Sequence, residues 1–312
     1  MISVQNLTKN YGETIAVREI SFEVEKGEIL GFLGPNGAGK TTTMKILTCF
    51  MPPSSGTVTV DGLDVTEQSQ SLEIRRKIGY LPEQNPLYHD MEVLDYLHFV
   101  ADLRGVDPSE QKARIKRMVD VAGLKPVLYR NIGELSKGFR QRVGLAQAMI
   151  HDPQILIMDE PTSGLDPNQI VEIRNLIREL GQEKTVILST HILSEVEATC
   201  NRAIIINQGK IVADGSLRDL QAAFRGLERI VLEIKAPADG QIEKLRALSS
   251  VKNVTLLGSQ DDVHRFQIEA EKGADVREPI FDLSVREGWK LLELHREMTT
   301  LEDVFRQLTK GV

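Results

Sequence analysis

The 312-residue sequence has only two cysteines, Cys49 and Cys200, and one tryptophan, Trp289. Two thiols so far apart, with no C-x-x-C spacing and no histidines beside them, argue against a disulfide framework or a zinc site. They fit reduced thiols in a cytosolic chain. Nowhere do apolar residues run to the ~18 needed to cross a bilayer. The opening Met1-Ile2-Ser3-Val4-Gln5-Asn6-Leu7 also lacks the basic-then-apolar order of a secretion signal. A basic surplus is missing as well: 38 Lys+Arg stand against 45 Asp+Glu, a formal net charge of −7. That balance argues against nucleic acid as a partner and against a polybasic membrane-surface binder. The 41% hydrophobic and 27% charged fractions are ordinary for folded domains and leave no place for disorder or fibrous classes. The length allows about two domains.

What the chain does have is patterned in three parts. Ile2–Leu7 and Ile20–Glu25 alternate at period two and read as short strands joined by turns. Ile29–Leu33, Ile155–Met158, Thr185–Leu188 and Ala203–Ile206 are short apolar runs, polar on neither face, as in strands buried on both sides. Helical patterns at Gln169–Leu180 and Ile192–Cys200 separate the last three, which predicts a parallel α/β sheet. From about 88 to 150 the spacing is helical, in Val93–Leu103, Glu110–Ala122 and Gln141–Ile150, with an Asp107-Pro108-Ser109 start signal; this reads as a helical insert, and on periodicity alone equally well as further helices covering the sheet. Past residue 226 the order becomes strand Arg229–Lys235, helix Gln241–Leu248, strands Val254–Leu257 and Val263–Ala270, helix Val276–Val285, strand Trp289–His295 and a last helix Leu301–Leu308. The β-α-β-β-α-β order predicts a small ferredoxin-like α+β domain over 227–312, with Trp289 in its core.

Gly34-Pro35-Asn36-Gly37-Ala38-Gly39-Lys40-Thr41 matches the G-x-x-x-x-G-K-[ST] loop, between a buried strand and a helical run that starts at Thr42, as that motif requires; Thr42 joins the loop as a candidate nucleotide-binding residue. Its glycines let successive backbone N–H groups turn toward phosphate oxygens, and the following helix N-terminus adds partial positive charge. Lys40 is placed to bind the β- and γ-phosphates, and Thr41 to offer its hydroxyl to Mg²⁺. The buried strand Ile155–Met158 ends in Asp159-Glu160, at the strand end where α/β sheets bind ligands. Asp159 is the candidate Mg²⁺ holder, and Glu160 the candidate base for an attacking water. A nucleoside triphosphate with Mg²⁺ is thus the expected ligand.

Further motifs narrow this large class. Leu135-Ser136-Lys137-Gly138-Phe139 resembles the LSGGQ signature of ATP-binding cassette (ABC) ATPases, with Lys137 and Phe139 in place of Gly and Gln. Ser163-Gly164-Leu165-Asp166 is similar to that family's D-loop, His191 to its switch histidine, and Tyr11 stands where its cassettes carry an adenine-stacking aromatic. Aligned without gaps, Glu83 falls at the Q-loop position with Gln84 one step beyond; the sequence leaves open which reaches the metal or water. The resemblance spans about residues 1–215 and implies a P-loop NTPase fold of ABC type: a RecA-like core, an antiparallel β subdomain and the helical insert, together making an ATP-binding domain over 1–226.

The resemblance also implies how the chain works. In the family the signature surface, here N-capped by Ser136, meets the γ-phosphate held by a second cassette, with Asp166 at the same interface. One loop and one signature per chain then imply a homodimer. His191 is implied to hydrogen-bond the γ-phosphate and water. Cassettes without spans of their own power separate multi-span permease subunits at the cytoplasmic face of the membrane. The stretch around Leu135–Met149 and Thr299–Thr309 resemble the ABC-2-type exporter group, including gliding-motility-associated ATPases. The competing expectation is a soluble ABC ATPase that drives assembly of a cytosolic complex. The C-terminal domain is expected to be accessory or regulatory.

Overall fold

Strands β1 (Ile2–Tyr11) and β2 (Thr14–Val24) form an antiparallel hairpin. Both are longer than the alternation predicts, because register shifts between Val4 and Leu7 and between Leu7 and Lys9 break the period-two pattern without ending the pairing. The computed structural model describes residues 1–223, 228–237, 240–297 and 301–309. Next come β3 (Ile29–Leu33), buried at every position, and α1 (Lys40–Leu47). β4 (Ser55–Val60) and β5 (Leu63–Asp64) complete an antiparallel sheet of order β2-β1-β4-β5. Then α2 (Ser71–Lys77) leads into β6 (Ile78–Leu81).

The helical insert comprises α3 (Val93–Leu103), α4 (Pro108–Val121) and α5 (Lys137–Met149). α4 starts where the sequence signals it, with Asp107 accepting the Ser109 N–H at 2.8 Å and Pro108 in the first turn. The chain then alternates through β7 (Ile155–Asp159), α6 (Pro167–Gly181), β8 (Thr185–Thr190), α7 (Leu193–Thr199) and β9 (Arg202–Asn207). β10 (Lys210–Ser216) follows. The resulting sheet has the order β10-β9-β3-β8-β7-β6. Its pairs from β9 to β6 are parallel, as expected, but β10 runs antiparallel to β9. The reversal comes from Gln208 (φ 48°) and Gly209 (φ 77°), two left-handed residues that make the hairpin turn matching strand twist. Leu30, Phe32, Met44, Leu47, Ile157 and Ile187, all 0% exposed, pack with the inner face of the β1–β2–β4 sheet. This core fixes α1 and the strand ends that carry the site.

By its contacts the chain divides into two compact units, one of Met1–Leu217 with the end of the chain from Leu308, the other of Arg218–Gln307. The boundary expected at 226/227 lies outside the described residues, as do Thr299 and Thr300. After α8 (Leu217–Ala223), the chain runs β11 (Glu228–Lys235), α9 (Gln241–Arg246), β12 (Val251–Gln260), β13 (Val263–Ala270), α10 (Arg277–Arg286) and β14 (Lys290–Glu297) of the second unit, then α11 (Leu301–Thr309), of which the second unit takes the part up to Gln307. Its antiparallel sheet has the order β12-β13-β11-β14, the split β-α-β arrangement that the element order predicts. Trp289 is buried among Ile230, Leu232, Phe266 and Ile280. No described helix is long and apolar enough to cross a membrane.

Candidate active site

β3 delivers the chain into the glycine-rich loop, and Gly39 turns it into α1 as the N-cap residue, with φ 107° and no side-chain cap. A Cβ on Gly39 would stand 2.5 Å from the Ala16 carbonyl oxygen, so both the backbone angle and the space demand glycine. The first-turn N–H groups of α1 have no partner within the helix, and its dipole favours an anion there. Asn36–Thr42 line a cleft of about 490 Å³ whose other walls include Glu83, Glu160, Ser163 and His191. Residues far apart in sequence therefore converge on one polar cavity.

Lys40 is buried, 6% exposed, and its Nζ donates to the Gly34 and Pro35 carbonyls at 2.8 and 3.3 Å. The same Nζ lies 3.3 Å from Glu160 Oε1. Glu160 Oε2 is 2.8 Å from His191 Nδ1. Glu160 follows directly on β7 and adopts a left-handed φ of 48°, a strained conformation for a non-glycine residue. Its N–H is held by Ser189, by the carbonyl at 3.0 Å and the hydroxyl at 3.2 Å. The carboxylate is thus aimed by β8 as well as by its own strand.

Asp159 is completely buried, and its Oδ1 accepts a hydrogen bond from the Ser189 hydroxyl. Among the described residues its Oδ2 has no hydrogen-bond partner. A second cleft of about 610 Å³ is lined by Asp159, Thr41, Glu83 and Gln84. An unsatisfied buried carboxylate oxygen beside a hydroxyl fits a hard divalent cation, which takes oxygen ligands and completes its shell from phosphates and water. Among the described residues no three His, Cys, Asp or Glu side chains are grouped to hold a metal unaided. Tyr80, half-buried in the wall of this cleft, has its phenol held well above the ordinary range by burial and then by the Asp159 and Glu83 charges.

Ser136 N-caps α5, its hydroxyl accepting the Phe139 N–H at 3.3 Å. Leu135–Phe139 do not line the phosphate cleft of their own chain; Ser136 and Lys137 are exposed. The Lys137 ammonium packs against Gly164, and Gly138 against the Gln169 side chain in the first turn of α6. Asp166 caps that helix, accepting the Gln169 N–H at 3.0 Å. Glu83 reaches the phosphate cleft and the Asp159 cleft, Gln84 only the latter. Tyr11 does not line the phosphate cleft: its hydroxyl bonds Met51 Sδ at 3.0 Å, and Lys9 lies 5.6 Å over its ring. Sequence reasoning gave no role to Ser189, whose hydroxyl bonds the Asp159 carboxylate and the Glu160 backbone N–H, or to Glu195, a buried carboxylate in α7. Only the rarity of a charged residue among the apolar positions of a helix pointed to Glu195.

A phosphate loop facing two carboxylates at a strand end and a histidine from the next strand defines a P-loop nucleoside triphosphatase. Comparison with known proteins makes the assignment specific. Residues 17–163 match the family described as ABC transporter. The chain is 33% identical to the linearmycin resistance ATP-binding protein LnrL of Bacillus subtilis, over 99% of this chain and 98% of that protein. It is 32% identical to the bacitracin transport ATP-binding protein BcrA of Enterococcus faecalis, over 100% and 97%. Among solved structures, the dimeric post-hydrolysis state of the ATP-binding cassette MJ0796 with ADP and Pi matches with a TM-score of 0.64 and 27% identity, covering 70% of this chain and 99% of that one. The chain belongs to the ABC transporter family, as an ATP-binding subunit that hydrolyses ATP. These relatives support the transport reading and give no support to the assembly-factor alternative.

Proposed function

We propose that two copies of this chain bind two ATP molecules head to tail, each between one copy's Lys40 loop and the other's Ser136 loop. Their closure and reopening drive export through separate membrane-spanning subunits, with the dimer peripheral on the cytoplasmic face. The observation that carries this reading is that Lys40, Glu160 and His191 share one cleft while the exposed Ser136 surface lies outside it. A nucleotide in that cleft needs a second chain to meet the signature. The dimeric state of the MJ0796 cassette and the resistance and transport roles named for LnrL and BcrA support it further. The second unit, Arg218–Gln307, serves as an accessory module.

Within the site, the Gly34–Thr42 loop holds the phosphates, and Lys40 exchanges its contacts to Glu160 and the loop carbonyls for the β- and γ-oxygens. Glu160, released from Lys40, takes a proton from the attacking water, and His191 hydrogen-bonds the transferring phosphoryl. Thr41, Asp159 and Glu83 or Gln84 would hold Mg²⁺, whose charge stabilises the phosphates; the lining of both clefts favours Glu83. A Glu160→Gln chain tests the assignment. It should bind ATP, form a stable ATP-dependent dimer and release phosphate slower by about 10²-fold or more. Turnover equal to that of the unmodified chain overturns the role of Glu160.

A further inference from the structure

We infer that Glu195 is a positioning residue for ATP hydrolysis, a buried clamp that sets the relative placement of Glu160 and His191; this rests on the reading that those two residues act on water and phosphate. Glu195 is 2% exposed in α7. One carboxylate oxygen accepts the Thr190 hydroxyl at 2.7 Å, and the other accepts the Thr162 hydroxyl, 33 residues away in sequence. Thr190 immediately precedes His191, and Thr162 lies two residues past Glu160. The Thr190 hydroxyl oxygen also accepts the Ile192 N–H at 3.0 Å, and its carbonyl accepts the N–H of Gly34 in the phosphate loop at 3.3 Å. A single carboxylate thus ties together the segments that carry the base, the histidine and the phosphate loop.

The energetics explain why this tie is specific. A buried carboxylate is costly, and hydroxyl donors offset that cost less completely than a cation does. Glu195 sits beside buried Val196 and Thr199, where an apolar side chain would fill the space at lower cost. What the carboxylate adds is two fixed acceptor directions, one toward each reactive segment. Fixed donors and acceptors of this kind are what hold a 2.8 Å contact such as that between Glu160 and His191 in register.

Steady-state kinetics and equilibrium ATP binding on the full chain test this. Glu195→Gln should lower kcat about tenfold or more while KM and the ATP Kd stay within about twofold, because geometry is lost and binding is not. In a His191→Ala background the same change should cost less than about threefold, since it acts through His191. The isosteric pair Thr162→Val with Thr190→Val should reproduce the loss, and Thr162→Ser with Thr190→Ser should restore it. These hydroxyl variants carry the test if Glu195→Gln does not fold. The clamp is overturned by Glu195→Gln turnover within twofold of the unmodified chain, by an equal loss in both backgrounds, or by serine variants as slow as the valine ones. Unchanged turnover in His191→Ala and Glu160→Gln would instead overturn the functional reading beneath it.

Discussion

Replacing Lys40 by methionine should destabilise the first unit even without nucleotide. Lys40 and Glu160 are 3.3 Å apart with side chains 6% and 8% exposed. At an effective dielectric of 20 the gross attraction is about 5 kcal/mol, much of it offset by desolvation of both ions. Removing one partner of such a pair, with the other left charged and buried, costs about 3–5 kcal/mol. Here the Glu160–His191 hydrogen bond survives and the cleft is open on the His191 side, which is 44% exposed, so the expected loss falls to about 2 kcal/mol. Glu160→Gln removes the stranded charge, so the double variant Lys40→Met/Glu160→Gln should recover at least about 1 kcal/mol relative to the sum of the singles. Urea unfolding in nucleotide-free buffer, followed by far-UV circular dichroism, reads this as a midpoint lowered by roughly 1 M in Lys40→Met and partly regained in the double variant. Trp289 fluorescence reports the second unit in the same samples. Strict additivity of the two single changes would refute the buried ion pair as the organiser of the nucleotide-free site.

Gly39→Ala should weaken ATP binding at least about tenfold in a fluorescent-nucleotide titration, because its φ of 107° and a Cβ 2.5 Å from the Ala16 oxygen force the loop out of shape. His151, half-buried with Nε2 3.2 Å from the Ile78 carbonyl, is held down to about 4 by burial and then by the Arg104 charge. The unfolded chain therefore binds this proton first, so stability is full above the ordinary value of 6.5 and is lost as pH falls through 6.5 toward 4. Discounted for partial solvent access, the contribution lost between pH 7 and pH 5 is about 1 kcal/mol, and His151→Gln should flatten the dependence of the urea midpoint on pH.

Much of this was legible in the sequence, for reasons that differ by element. The phosphate loop announced itself because a strand, an eight-residue loop with four fixed positions and a helix are contiguous, so spacing and context agree. β7 and β8 were readable because they are buried on both faces and uniformly apolar. β1 and β2 were underestimated where bulges interrupt alternation, and β10 was missed because its burial alternates only weakly at a sheet edge. The second unit's strand order followed from its element order, since a split β-α-β chain has few ways to pair. The contacts among Lys40, Glu160 and His191 could be expected only from family resemblance, because they join residues 31 to 120 positions apart. Glu195 and Ser189 carry no motif of their own; their roles arise from where α7 and β8 place them.

The central claim is that each ATP site is completed by a second copy, and mixing two inactive variants tests it most directly. Lys40→Ala disables the loop half-site, and Ser136→Glu sets a negative charge where the signature must meet phosphate. In a head-to-tail dimer, pairing one chain of each kind places both defects in one site and leaves the other intact. A 1:1 mixture, reassorted and assayed for phosphate release, should therefore recover activity that neither variant shows alone, about one quarter of the unmodified rate for random pairing. A mixture as inactive as its two components would contradict the shared site.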